Sequence, residues 1–365
     1  MPEEKGKKMT NQQDITVTRE SPFTTMAGHG LTTASTPNET ADWMTRLPDD
    51  IALHRLTLPG SHDTCAYTVD DALARTQGAS LAVQLACGVR VLDIRCRHED
   101  DVFHINHQRI PLWLMFDDVL ATCAAFFARY PGECIVMSVK DECGDRHCTR
   151  SFAQTFASYV ERYAEHVRWF LGDTIPRLGD VRGSIVLLRR FASATPLGID
   201  LTEWPDNETF DIGRAGASFS IQDEYRVPVE AAIDYKFRQI DALLTRTEAM
   251  AATHWVINFC SGTGMGANPL RVACGGARPE QRGINDMLTA RLDGYCGPCG
   301  TMMIDFCEHA DWSLVRALVA RNAGDVCDAR SASDAREDGN TDDAGSATRW
   351  REVSVSGEAS CPGTS

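Results

Sequence analysis

The chain has no stretch of about 18 consecutive apolar residues, the length a membrane-spanning helix needs, and residues 1–21 lack the apolar centre of a secretory signal. Neither a spanning segment nor a leader is expected. The expected location is the cytoplasm, with secretion by a route lacking a visible signal peptide as the alternative. Positive charge is in short supply: 36 lysines and arginines face 51 aspartates and glutamates, a formal net charge of −15. That balance excludes nucleic acid as a partner and opposes simple electrostatic capture by an anionic membrane, so any lipid contact needs a local apolar or basic patch. No prenylation box closes the sequence, because Cys361 in Cys361-Pro362-Gly363-Thr364-Ser365 stands one place too early. A glycine-rich phosphate loop after the first strand is missing as well, which weakens the case for a doubly wound open sheet.

Cysteine, by contrast, is plentiful, with 14 in 365 residues. Cys96, Cys134, Cys260 and Cys307 lie inside apolar runs and read as buried thiols acting as small hydrophobes. Cys296-Gly297-Pro298-Cys299 has the spelling of a thioredoxin-like redox site, but it precedes a strand instead of following one, so a tight turn is the simpler reading. Cys143-Gly144-Asp145-Arg146-His147-Cys148 fits no closed four-ligand zinc pattern.

Hydrophobic residues make up 43% of the chain, enough for one sizeable core. Residues 1–40 are polar and aperiodic and read as a disordered arm; 329–365 is an acidic, Ser- and Gly-rich tail of the same kind, with residues 350–355 as a doubtful strand. Nothing between splits the chain, so 41–328 is expected to be one domain. Strands are expected at 53–58, 89–95, 101–105, 134–139, 184–190, 218–222, 254–259 and 301–306, and helices at 79–87, 116–129, 151–166, 229–250, 280–292 and 312–322. The second helix shows the spacing Phe116, Val119, Leu120, Cys123, Phe126, Phe127, one face at a 3.6-residue period. Strand–helix alternation over this length predicts an α/β fold of TIM type, a (β/α) barrel of irregular form.

In such a barrel the polar residues at C-terminal strand ends face one mouth. They are His62 and Asp63, Asp93 and Arg95, His107, Lys140, Arg189 and Arg190, Asp223 and Tyr225, and Asp305. A single charged residue at a strand end usually marks only where the strand meets water. Nearly every strand delivers one here, which weakens that reading for the set. Two imidazoles permit a general base and a general acid at neutral pH, and an arginine can hold two phosphoryl oxygens at once.

The stretch Leu58-Pro59-Gly60-Ser61-His62-Asp63-Thr64, followed by Val91-Leu92-Asp93-Ile94-Arg95, resembles the X-region signature of phosphatidylinositol-specific phospholipases C, above all the simpler bacterial type. His107 with Phe116-Asp117-Asp118, the strand ending in Lys140, the strand ending in Arg190, Ile221-Gln222-Asp223-Glu224-Tyr225 and Ile304-Asp305-Phe306 resemble later segments of that family, in family order. The resemblance implies a barrel that cleaves phosphatidylinositol, or a glycosylated derivative of it, to diacylglycerol and inositol 1,2-cyclic phosphate. It implies His62 as base oriented by Asp305, His107 as acid kept protonated by Asp93, Arg95 helped by Asp63 as phosphate clamp, and Lys140, Arg190, Asp223 and Tyr225 around the inositol ring. His104 and Arg189 are the neighbouring rivals of His107 and Arg190. Gln108 and Arg109 stand where the family often has Gly, and loop 261–278 has no aromatic residue where bacterial relatives carry a lipid-touching rim. Arg95 occupies the place of an acid that Ca²⁺-dependent relatives use, so no metal and no cofactor are expected. The expected partner is an inositol phospholipid at a membrane surface or in micelles, and the expected state a monomer. Glycerophosphodiester or sphingolipid phosphodiesterase action on a related barrel, or non-catalytic head-group binding, are the alternatives.

Overall fold

The structure, a computed structural model, describes residues 40–323 apart from 215, 277 and 279. The expected arms at 1–40 and 329–365, including the strand at 350–355, therefore lie outside the described residues except for residue 40.

In chain order the elements are β1 (Leu58–Ser61), α1 (Leu81–Ala86), β2 (Val91–Glu99), β3 (Val102–His107), β4 (Ile110–Met115), α2 (Phe116–Arg129), β5 (Ile135–Asp141), α3 (Phe152–Arg162), β6 (Arg168–Phe170), α4 (Leu178–Val181), β7 (Ser184–Arg190), β8 (Ile199–Asp200), β9 (Thr209–Arg214), β10 (Ala217–Gln222), α5 (Ile233–Met250), β11 (Trp255–Phe259), α6 (Pro269–Cys274), α7 (Ile284–Leu292), β12 (Thr301–Ile304) and α8 (His309–Ala320). Strands run side by side in the order β6-β7-β5-β2-β1-β12-β11-β10-β9, parallel except for the last pair. β3 and β4 extend β2 as an antiparallel ribbon, and β8 pairs with β7. This is the expected α/β barrel in irregular form. Among the described residues no hydrogen-bonded pairing joins the β7–β8 side to β9 and β10, so a seam is left there.

Strand alternation sorts the core into two layers. Val91, Val136, Val186, Leu188, Phe219, Ile221, Ile257 and Met303 pack inside the barrel with Trp43, Leu53 and Leu56 below them. Leu92, Ile94, Met137, Val139, Ile185 and Leu187 face outward under the helices. Because side chains alternate with a period of two, Val91 and Asp93 put Arg95 on the inner face, Val136 and Ser138 do the same for Lys140, and Val186 and Leu188 for Arg190. The three cations are also in register, Arg95 opposite Lys140 and Lys140 opposite Arg190. Neighbouring strands lie about 4.8 Å apart, so a row of positive charge crosses one side of the mouth.

The strand expected at 53–58 is displaced. Leu53–Arg55 forms a 3-10 turn and β1 begins only at Leu58. Pro59 and Gly60 read as a turn, yet they are the strand. A Cβ at Gly60 would lie 2.5 Å from Met303 Sδ and 3.0 Å from Val91 Cβ, so only glycine fits between β12 and β2. β4, β6, β8 and β9 and helices α4 and α6 are absent from the expected elements; β6, β8 and α4 span only two to four residues, too few to show a period. All twelve cysteines among the described residues are free thiols, with Cys96, Cys134, Cys260 and Cys307 buried. Cys296 and Cys299 fall in the turn before β12.

Candidate active site

A cleft of about 660 Å³ opens at the C-terminal strand ends, lined by His62, Arg95, His107, Lys140, Arg190, Asp223, Tyr225 and Asp305. Asp63 and Asp93 lie buried beneath it. Parallel pairing of β1 with β12 places Ser61 opposite Ile304, so the next residues, His62 and Asp305, emerge together. His62 Nδ1 and Asp305 Oδ1 are 2.7 Å apart, and Arg95 Nη2 lies 2.8 Å from His62 Nε2. A guanidinium only donates. Nε2 is therefore the accepting nitrogen, Nδ1 carries the proton, and the imidazole is neutral with its lone pair turned to the cleft. Burial pulls the His62 pKa down; the charge and hydrogen bond of Asp305 more than reverse this, and the net position is above the ordinary value. Asp305 is itself raised, burial outweighing the nearby imidazole, and its Oδ2 has no partner among the described residues.

The second imidazole is not paired as expected. His107 Nδ1 bonds Asp63 Oδ2, not Asp93. Asp93 instead accepts from Arg95 Nε at 3.1 Å, Arg95 Nη2 at 2.9 Å and the backbone N–H of Asp63 at 3.1 Å. The reason is positional. Asp93 lies two residues below Arg95 on the same inner face of β2, whereas Asp63 stands beyond β1 at a φ of 40°, a left-handed turn that swings its carboxylate toward the β3 end. Burial would raise Asp93, but the charges of Arg95 and Arg190 hold it well below the usual carboxylate range.

Glu142 was overlooked in the sequence. It follows the end of β5, its side chain is 2% exposed, and Oε2 lies 2.6 Å from Lys140 Nζ while Oε1 lies 3.5 Å from Arg95 Nη1. It also accepts from the Gln108 N–H at 3.0 Å, tying down the turn after His107. The signal was available, since Lys140-Asp141-Glu142 is a strand end like the others. Arg95 thus sits among three carboxylates: Asp93, Glu142 and, at 3.9 Å, Asp63. A guanidinium fills the place where a divalent cation would collect those oxygens.

The rivals separate cleanly. Arg189 turns away from the cleft to pair with Asp200 at 2.7 Å and to bond the carbonyl of Leu197, while Arg190 lines the cleft. His104 points elsewhere on β3 and His107 lines the site. Tyr225 bonds Asp206 and Asp223 accepts from the Trp204 indole. Cys148 does meet His98 and Asp101, and His147 meets Glu99 and Asp100. In the first group the donors are already engaged, His98 by Asp145 and Thr155 and Asp101 by the N–H groups of Thr149 and Arg150.

Below Asp223 lies Lys236, buried, with Nζ donating to Gln222 Oε1 at 2.9 Å and to the Glu224 carbonyl at 2.8 Å. Burial lowers its pKa from 10.5 to about 8. A shift of that size corresponds to roughly 3 kcal/mol of instability. It is fully present below pH 8, where both states are protonated. Between about pH 8 and 10.5 the unfolded chain binds more protons, so stability rises with pH. In urea titrations the stability of wild type relative to Lys236→Met is expected to climb over that window; a difference independent of pH contradicts it.

The sequence profile of the phosphatidylinositol-specific phospholipase C X domain matches residues 56–191. A 1-phosphatidylinositol phosphodiesterase of Listeria monocytogenes is 30% identical over 280 residues, 74% of this chain and 82% of that one. Its counterpart from Staphylococcus aureus strain Newman is 30% identical over 217 residues, covering 55% and 67%. Among solved structures, a Staphylococcus aureus phosphatidylinositol-specific phospholipase C, described in work on modulation of its membrane binding, superposes with a TM-score of 0.68 at 24% identity over 79% of this chain and 99% of that one.

Proposed function

Because the chain belongs to the family of bacterial phosphatidylinositol-specific phospholipases C, we propose that it cleaves phosphatidylinositol, or a glycosylated derivative, to diacylglycerol and inositol 1,2-cyclic phosphate. The observation that carries the reading is a pair of imidazoles, each backed by its own carboxylate, with Arg95 between them: Nη2 at His62 and Nη1 toward Asp63.

His62 Nε2 takes the proton of the inositol 2-hydroxyl as that oxygen bonds phosphorus. Asp305 fixes the tautomer and stabilises the imidazolium that forms. Arg95 must leave Nε2 as the hydroxyl arrives, and the phosphoryl oxygens give its N–H groups a new partner. His107, bonded through Nδ1 to Asp63, delivers its proton to the diacylglycerol oxygen as the P–O bond breaks. Lys140, Arg190, Asp223 and Tyr225 surround the ring and hold the hydroxyl in line, a restriction that contributes up to about 7–11 kcal/mol in favourable cases. Water can later open the cyclic ester by the same residues in reverse roles.

Substrate reaches the cleft from a membrane or micelle across an apolar edge. Met265, 92% exposed, and Leu73, half-exposed, line it, and half-exposed Leu270 follows Pro269 of its lining. No helix among the described residues is long and apolar enough to cross a membrane. The proposed site is complete within one chain, so the reaction requires no second copy.

Phosphatidylinositol in detergent micelles, incubated with the protein and EDTA, is expected to give a cyclic phosphodiester resonance in ³¹P spectra. Phosphatidate, a choline-type product, or activity that EDTA abolishes would each overturn the reading, the last because Arg95 is assigned the work of a metal.

A further inference from the structure

The ladder between β1 and β12 ends at Ser61 opposite Ile304, one residue short of the base and of the carboxylate that orients it. His62 Nδ1 and Asp305 Oδ1 lie 2.7 Å apart just past that end. Each backbone turns aside at once. Asp63 follows His62 at a φ of 40°, and Phe306 follows Asp305 at a φ of 49°. Left-handed backbone at residues other than glycine is strained and persists only where the surroundings over-determine it. The surroundings here come from the segment between β1 and α1. Gln77 is fully buried behind the cleft. Its Nε2 donates to the His62 carbonyl at 2.9 Å and to the Ile304 carbonyl at 2.8 Å, and its Oε1 accepts from the Cys307 N–H at 3.3 Å. A single orientation of the carboxamide makes all three bonds, so the side chain straddles both turns. Thr76 supports it: Oγ1 lies 3.2 and 3.1 Å from the carbonyls of His62 and Asp63, and the Thr76 carbonyl accepts from the Phe306 N–H at 2.7 Å. Asn285 Nδ2 holds the β12 side through the Asp305 carbonyl at 2.9 Å.

We propose that Gln77 is a positioning residue for the catalytic base: one planar carboxamide, bonded to both strand ends behind the cleft, fixes the separation of His62 and Asp305. The inference rests on the function proposed above. It adds a residue outside the six catalytic positions and the four ring contacts, and one that acts without touching substrate. A planar amide does not stretch, so a single rigid group spans the two turns where the ladder has stopped.

Gln77→Met keeps the length of the side chain and loses all three bonds. On phosphatidylinositol micelles it is expected to lower kcat about ten- to a hundredfold, the scale on which a small displacement of a catalytic group acts, with KM unchanged because no ring contact moves. The pH profile tells positioning from a structural role. Burial lowers the His62 pKa, Asp305 and Asp93 raise it, and Arg95 lowers it. Loosening Asp305 removes the largest raising influence, and the base must be neutral to act, so the acid limb of kcat/KM is expected to move to lower pH. Added to Asp305→Asn, Gln77→Met is expected to cost little more than Asp305→Asn alone, since both act through one contact. Lost stability with the rate per folded molecule and the acid limb unchanged, or effects that multiply in the double variant, overturns the proposal. Gln77→Glu keeps the acceptor for Cys307 and gives up donation to the two carbonyls at once; it is read the same way where Gln77→Met does not fold. If wild type cleaves no phosphatidylinositol, the proposed function falls while Gln77 is still tested, by NMR titration of the His62 imidazole in wild type and variant. A lower pKa in the variant sustains the proposal; an unchanged or higher one ends it.

Discussion

His62→Ala is expected to reduce cleavage of phosphatidylinositol by about 10²–10⁴-fold, the scale of a lost general base, and the loss should be the same whatever group leaves phosphorus. His107→Ala is expected to match it on the natural lipid, where the departing alkoxide needs a proton. With an aryl phosphodiester of inositol the departing phenolate needs none, and His107→Ala should recover most of its rate. The contrast follows from geometry: His62 shares its cluster with Asp305 and Arg95, whereas His107 is tied to Asp63 at the far side of the guanidinium. Initial rates of the two variants on the two substrates decide it. Equal recovery of both, or of neither, contradicts the assignment of base and acid. Asp63 and Asp93 provide a corollary, for Asp63→Asn should resemble His107→Ala, while Asp93→Asn should weaken the phosphate clamp for either substrate.

The largest expected effect on stability lies at the other end of the barrel. Arg90 and Glu133 are both fully buried, with Nη2 2.8 Å from Oε2. Arg90 also donates to the carbonyls of Leu85, Val89 and Ala41 and lies over the ring of Phe126. Glu133 accepts from the backbone N–H groups of Met44 and Thr45. The pair therefore pins the segment before β1 to the floor of the sheet. Glu133→Ala leaves a buried guanidinium without its carboxylate and two backbone donors unpaired. The expected cost is about 3–5 kcal/mol, which in a domain of this size lowers Tm by roughly 10 °C. Arg90→Met combined with Glu133→Leu is expected to cost less than Glu133→Ala, because no charge is then stranded. Thermal melts of the three proteins at neutral pH test this. A double variant as unstable as Glu133→Ala shows that the backbone contacts, not the stranded charge, set the penalty.

The chemistry of the site was more legible than its wiring. Polar residues closing apolar strands announced His62, Arg95, Lys140, Arg190 and Asp305, because a parallel strand buried on both faces has nowhere else to put them. Which carboxylate serves which imidazole depends on the left-handed turn at Asp63, and a dihedral angle leaves no trace in a string of residue types. Glu142 hid behind Lys140, one of several charges in a row. Trp204 was silent for another reason, since it lies in a connection with no period of its own. The long helix at 116–129 was read to the residue, because its apolar face repeats for nearly four turns. β1 was misplaced because Pro59-Gly60 is turn chemistry put to use in a strand.

The alternation along β2, β5 and β7 has a consequence for how this protein can change. Each strand spells core, then site, on its even steps and helix-facing hydrocarbon on its odd ones. A substitution alters one letter of that spelling, whereas inserting or deleting one residue within β2 shifts its reading frame. Leu92 and Ile94 would then turn to the mouth, and Asp93 and Arg95 would be driven under the helices. The three cationic strand ends can therefore drift one residue at a time but cannot slip. Length variation is confined to the connections, and of these the runs after β1, β3, β8 and β11 line the cleft.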